Sequence, residues 1–467
     1  MEKILKKLHI STERSFYRDL FALAIPLALQ SLFMQGVNTV DSIMLGQLGE
    51  TQLSAVTIGL EPFNIVAGIV RGLSLGGALL IAQYWGKEDR DSIKKVMAIS
   101  TKAGVLIGLV CLALVEIFPT QVLRVFTRDQ AVITASAGYL KIIAFTFVLY
   151  AFSNNYMLAV RSMQSGRVPF ITNVISYSAN IFFDYAFIFG KFGFPKLGII
   201  GVALGTLFAR IIEFGICVIH MLRINDKVDF RIRDFALWDK GLFRDFMTYG
   251  IPSLLSETVF NLGMAANSAI MGNLGTTAIS AKAISEALNR LPQMMITGLS
   301  GSSAVLIGKT IGEGKIDKLR ERVNAYIALV GVAVVLLMLF IWGFRSIFIG
   351  FYNITEETAR VTFAMTNMAI LTAIGRGYEA LFVTGVQVGS GDTKYIFWYT
   401  TIVSWLFVIP AAYLGAFYFH LSAPLVYFIL KMDFVIKGVV GFIRTRGTKW
   451  IKDVTSAGRE QTAEEQS

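Results

Sequence analysis

Three short constellations of polar residues sit inside otherwise apolar stretches of this 467-residue chain. Gln30, Met34, Asn38 and Asp41 follow at intervals of four, four and three, which puts them on one face of a helix. Asn173, Tyr177, Asn180 and Asp184 repeat that stagger, and Ser253, Glu257 and Asn261 follow at i, i+4 and i+8 just after Pro252. Carboxylates flanked by neutral amide and hydroxyl oxygens can take up a proton or ligate Na⁺. A charged side chain at mid-bilayer costs several kcal/mol, so such acids are functional candidates by default. The competing reading of each acid is a structural hydrogen-bonding group, or one near a helix end within reach of interfacial water. Glu61, Glu213, Glu286, Glu379 and Asp433 are more isolated, and Arg71, Arg210, Arg290 and Arg376 are read as structural partners for some of them.

Other chemistry finds no residues to carry it. His9, His220 and His420 are far apart in sequence, and neither a GxSxG elbow nor a GK[ST] phosphate loop occurs. Metal-ligand spacing is missing, and Cys111 and Cys217 fall in apolar runs as small apolar side chains. The run Gly72-Leu73-Ser74-Leu75-Gly76-Gly77 lies mid-helix, where close helix packing explains it better than phosphate binding. The expectation is a protein that is not an enzyme, needs no cofactor and draws on an ion gradient.

The elements that must position these residues are membrane helices. Mean hydropathy is +0.60 and only 16% of residues are charged, against roughly 25% in soluble domains. Apolar runs long enough to cross a hydrocarbon layer of ~30 Å recur at 20–44, 53–83, 96–118, 132–157, 168–190, 198–222, 247–271, 278–307, 323–349, 360–385, 396–419 and 423–443. The alternation of a β-barrel is absent, so the predicted fold is all-α, with twelve transmembrane helices.

The net charge of +11 is concentrated in Lys3 to Arg18, Lys87 to Lys95, Arg223 to Arg244, Lys309 to Arg322 and Arg444 to Arg459. These alternate along the chain as cytoplasmic loops do, which places both termini in the cytoplasm and gives the charge to topology and lipid, not to nucleic acid. Met1 to Asp19 lacks the apolar core of a removable signal peptide.

Shifting the chain by 226 residues aligns 26–86 with 252–312 without a gap at 17 identities in 61 positions. Pro26 meets Pro252, Gly46-Gln47-Leu48-Gly49 meets Gly272-Asn273-Leu274-Gly275, and Gly72-Leu73-Ser74 meets Gly298-Leu299-Ser300; Ser165-Gly166 meets Ser390-Gly391 at a shift of 225. Six crossings per unit make the repeats parallel, giving two lobes around a central cleft. The expected division is an N-lobe at 1–222, a cytoplasmic linker at 223–246, a C-lobe at 247–445 and a tail at 446–467. A linker of that kind lets the lobes rock, so alternating access is the expected mechanism.

Ala24-Ile25-Pro26, Val40 to Gly46, Asn180 to Gly190 and Gly201-Val202-Ala203-Leu204-Gly205-Thr206, within a doubled six-helix chain, resemble the multidrug and toxic compound extrusion (MATE) family across 15–450. The resemblance is strongest to its bacterial DNA-damage-inducible-type branch. It implies a V-shaped pair of bundles that exports small organic, often cationic, compounds in exchange for H⁺ or Na⁺. The positions matching that branch's coupling site are Asp41, Asn180, Asp184 and Thr206, with Na⁺, if it is the ion, at Asp41, Asn180 and Asp184. Glu257 with Asn261 is the secondary candidate: the resemblance includes a branch that couples to Na⁺ through the second lobe, using an acid in helix 7, which Glu257 matches, and an aspartate in helix 10, from which Glu379 stands two positions off. Gln30, Met34, Asn38, Asn173 and Tyr177 are expected to line the substrate cavity. Small-molecule substrates and the lipid bilayer are the expected partners of a monomer in the bacterial cytoplasmic membrane. A lipid-linked saccharide flippase of the related superfamily is the alternative, disfavoured by twelve spans and an acidic first lobe.

Overall fold

Apolar backbone in lipid must satisfy its own amides, and a helix does so within one segment. The computed structural model describes residues 10–46, 50–126, 130–224, 228–352 and 354–455, apart from the side chains of 38–39, 41–43, 45–46, 50–54, 131, 223–224, 276, 279 and 291–292. Among these residues there is no strand, and twelve long helical stretches follow one another. They are α1 (Arg14–Gly46), α2 (Glu50–Gly86), α3 (Arg90–Ile117), α4 (Gln130–Ser162), α5 (Arg167–Phe189) and α6 (Ile199–Ile219) in the first half. The second half has α7 (Lys240–Asn273), α8 (Thr276–Gly312), α9 (Ile316–Gly350), α10 (Glu356–Glu379), α11 (from Thr393–Ile402) and α12 (Ala423–Arg446). α10 runs on through a π-helical stretch, Ala380–Gln387, and α11 through another, Val403–Val408, before Ile409–Phe417. Each expected span has its helix.

Eight of these helices contain a segment long and apolar enough to cross a bilayer by length and composition. The other four, α5, α7, α10 and α12, carry Asp184, Glu257, Arg376 with Glu379, and Lys431 with Asp433 and Lys437. What sets these four apart is the polar and charged residues that they carry. The lipid side is the reverse: Val332, Val335, Leu339 and Trp342 of α9 are all more than half exposed, as are Leu106 and Ile117 of α3.

The chain forms two compact units, residues 29–254 and residues 1–28 with 255–467. Their boundaries differ from the expected lobes, because the first turns of α1 pack with the second half of the chain and those of α7 with the first. In the second unit Leu20, Leu23 and Ala24 are buried with Tyr326 and Leu299, and Phe16 meets the Tyr326 ring edge-on at 5.7 Å. Glu13 pairs with Lys318 and, at 3.1 Å, with Arg322, and these cations hold its carboxyl below the ordinary range. Within the first unit, Gly250 of α7 lies so close to Gly76 that a Cβ on Gly76 would come within 2.5 Å of its backbone.

The repeat explains this exchange. A Cβ on Gly72 would strike the Leu254 backbone, and one on its repeat equivalent Gly298 would strike Ala24 and Ala28, Ala28 being 226 residues before Leu254. In lipid, where burying apolar surface gains little, small residues that let backbones approach supply the packing energy. Close packing, not phosphate binding, is therefore what Gly72 to Gly77 does. Pro26 and Pro252 lie inside α1 and α7, two residues before the unit boundaries at 28/29 and 254/255.

The segment expected to be the cytoplasmic linker, 223–246, belongs to the first unit as far as it is described. Val228 and Phe230 are buried, Lys102 of α3 donates to the Leu237 carbonyl at 2.8 Å, and Lys94 and Lys95 pair with Asp234 and Asp239. Its apolar residues and the lysines of α3 strap it down.

Candidate functional site

The first-half site is built where α5 and α6 touch. α5 ends at Gly190, whose positive φ of 66° reverses the chain, and α6 begins after Gly198. Gly201 faces Phe187 and Gly205 faces Asp184, each so closely that a Cβ would clash; on Gly205 it would run into the Asp184 carboxylate. The glycines of Gly201-Val202-Ala203-Leu204-Gly205 thus seat α6 against the acid. Asp184 is 2% exposed, and Asn180, one turn earlier, donates its amide N–H to Asp184 Oδ2 at 3.0 Å. Thr206 follows Gly205, half-buried, and no hydrogen bond joins it to Asp184 or Asn180 among the described residues.

The stripe continues along α5. Tyr177 stacks on Phe33 of α1, with centroids 6.4 Å apart, and Asn173 is buried, its amide donating back to the Pro169 carbonyl at 2.8 Å. Gln30 is half-buried and Met34 is 41% exposed. Asp41 is on α1, but its side chain and that of Asn38 lie outside the described residues.

Two turns beyond Asp184, Arg210 and Glu213 of α6 make an ion pair at 2.6 Å, with the Ser176 hydroxyl 3.4 Å from the same Glu213 oxygen. The Arg210 guanidinium also lies over the Tyr150 and Phe63 rings. This is the structural pairing expected for the isolated charges, and Arg376 with Glu379 at 2.9 Å repeats it in the second unit.

Glu257 is half-buried, and Asn261 is exposed with its amide donating to the Glu257 backbone carbonyl at 2.9 Å. The Asn261 amide thus satisfies its own helix. What sequence reasoning passed over is a set of lysines within the spans of the second unit. Lys431 pairs with Glu286 at 3.2 Å, Lys437 with Asp433 at 2.6 Å, and Lys282 donates to the Ser268 hydroxyl at 2.7 Å. Lysine facing lysine or acid across α8 and α12 was a readable signal, since a cation in a span is as costly as an acid.

Gly205→Val is expected to lower stability by about 1–3 kcal/mol, the usual cost of overpacking a filled interface. Thermal unfolding in detergent checks it, with Gly215→Ala as a neutral control because a Cβ there meets nothing within 4 Å.

A family model described as MatE matches residues 26–186 and 252–414, one block in each half. The chain is 22% identical over 436 residues to the uncharacterized transporter YisQ of Bacillus subtilis (strain 168), covering 93% of this chain and 95% of that one. It is 24% identical over 400 residues to the multidrug resistance protein MdtK of Yersinia enterocolitica, covering 85% and 87%. Its fold is similar to the outward-facing conformation of a multidrug resistance MATE family transporter of the MOP superfamily, at a TM-score of 0.84 and 18% identity over 96% of this chain and 99% of that one.

Proposed function

Because this chain belongs to the MatE family of multidrug efflux transporters, we propose that it is a secondary antiporter that exports small organic compounds, often cationic, in exchange for H⁺ or Na⁺ by alternating access. The observation that carries the reading is the buried Asp184 carboxylate, held by Asn180 and seated on Gly205 in a membrane-embedded helix pair. An acid kept there at a cost of several kcal/mol is suited to bind an ion, and binding would neutralise it. Asp41 on α1 is the second acid of the proposed site, and Thr206 supplies a neutral oxygen beside it. An ion at these residues competes with a cationic substrate or reshapes its site, which is the linkage that antiport requires. Gln30, Met34, Asn38, Asn173 and Tyr177 line the proposed substrate path. Both termini are placed in the cytoplasm by the basic segments between spans. The comparisons do not favour the flippase alternative.

The test is a susceptibility panel in a pump-deficient bacterial host, comparing this chain with Asp41→Asn. The chain is expected to raise tolerance to several organic cations, and Asp41→Asn to remove that gain at equal membrane levels. Equal tolerance with and without the chain across the panel rejects drug export.

A further inference from the structure

The second unit contains a cavity of about 220 Å³ among α7, α8, α9, α10 and α12, and its charges have the opposite sign from those of the first. Arg290, Arg376 and Lys431 line it against a single acid, Glu286. Lys431 spends its charge on Glu286 at 3.2 Å, and Arg376 spends its on Glu379 at 2.9 Å while its guanidinium packs 4.2 Å from the Phe434 ring. Arg290 has no ion-pair partner among the described residues. Lys282, buried one turn before Glu286, adds a further cation behind the wall, and Asp433 and Lys437 cancel each other on α12. With these pairs counted, the lining keeps the surplus charge of Arg290.

The rest of its lining is apolar or aromatic: Phe260, Met264, Leu337 and Phe434. Arg290 is itself exposed, and a surplus guanidinium beside such walls is stabilised by an anion that brings its own apolar body. Guanidinium is the group best shaped to hold carboxylate, through two parallel N–H···O bonds. A cation entering the same space meets the uncompensated Arg290 guanidinium.

We propose that this cavity is a binding site for a small amphiphilic monocarboxylate, with Arg290 as its anchor. The volume is below the range of about 300–1,000 Å³ typical of drug-sized ligands, so the occupant is of the size of one or two fused rings. The site is separate from the acidic one on α5, and its occupancy does not depend on that site's coupling role.

The experiment measures binding, not transport. Equilibrium dialysis of tritiated naphthoate against the full chain in lipid nanodiscs, with empty nanodiscs subtracted, is expected to show saturable uptake at one site per chain. Naphthylmethylammonium, of similar shape and opposite charge, is expected not to compete. Arg290→Gln is expected to weaken naphthoate binding about ten-fold or more, as loss of a charged bidentate contact does. Arg290→Lys, which keeps the charge and loses the fork, is expected to fall between the two, and it carries the test should Arg290→Gln fail to fold. No saturable naphthoate binding, equal competition by naphthylmethylammonium, or unchanged affinity in the Arg290 variants overturns the proposal.

Discussion

Asp184→Asn is expected to reduce gradient-driven efflux from proteoliposomes by about 100-fold or more, while the protein still folds and inserts. The substitution preserves shape. Asparagine can still accept from the Asn180 amide at the position of Oδ2, and Gly205 still leaves the space that α5 occupies. What disappears is the capacity to alternate between a charged and a neutralised state, which is the step that ties ion movement to substrate movement. Exchanging one H⁺ for one monovalent cation moves no net charge, so only the ion's concentration gradient would drive it. Two ions per cation would also draw about 2.3 kcal/mol per 100 mV of membrane potential. Efflux is therefore to be read with the ion gradient and the potential imposed separately. Glu257→Gln is expected to do less, because Glu257 is only half-buried and the Asn261 amide beside it is spent on the backbone. Native rates in Asp184→Asn with a dead Glu257→Gln would move coupling to the second unit.

The helices were legible because lipid imposes a simple rule, about twenty apolar residues per crossing, and the rule held even where polar residues diluted it. α5 and α12 show this: polar or charged residues keep both from reading as plain apolar spans, yet each spans its expected run. The repeat was legible at its glycines, where Gly72 and Gly298 could be aligned because neither tolerates a side chain. What the repeat did not disclose is which half of the chain each of those glycines packs against. Leu254 and Ala28 lie just beyond the prolines, and nothing in a linear pattern says that the turns of α1 before the unit boundary join the second half of the chain.

The site was legible in part, for a different reason. Asn180 and Asp184 are one turn apart, so helical periodicity alone joins them, and the glycines of α6 were noticed without their role as the floor under the carboxylate being evident. At a shift of 226 Asp41 falls on Asn267, and at 225 Asp184 falls on Ile409. The duplication therefore copied the scaffold and not the acids, which is why the two units carry different chemistry. The lysines of α8 and α12 were missed because attention to acids treated intramembrane cations as their counter-ions only. Lys431 and Lys437 do pair with acids, but Arg290 is left over.

The second large effect is expected at Asp392. This acid is fully buried in the turn between the end of α10 and α11, and it faces Arg444 Nε at 2.9 Å and Lys452 Nζ at 2.5 Å. Both cations belong to the end of α12 and the segment after it. Arg444 also packs over the Tyr395 ring at 4.2 Å, the Lys452 amide donates to the Ser390 carbonyl at 3.3 Å, and Trp450 is buried with its indole N–H on the Gly447 carbonyl. One carboxylate thus fastens the C-terminal segment to the α10–α11 turn. Removing one partner of a buried ion pair leaves the others desolvated without compensation, at about 3–5 kcal/mol. Arg444 and Lys452 keep some access to solvent, their side chains being 20% and 39% exposed, so the lower end of that range applies. Asp392→Ala is expected to lower the apparent melting temperature in detergent and to make the chain after α12 sensitive to added protease. Asp392→Asn, which keeps the hydrogen-bonding shape and loses the charge, is expected to lose part of that stability. An unchanged melting temperature and protease pattern in Asp392→Ala would mean that Trp450 and the backbone contacts hold the segment without the ion pairs.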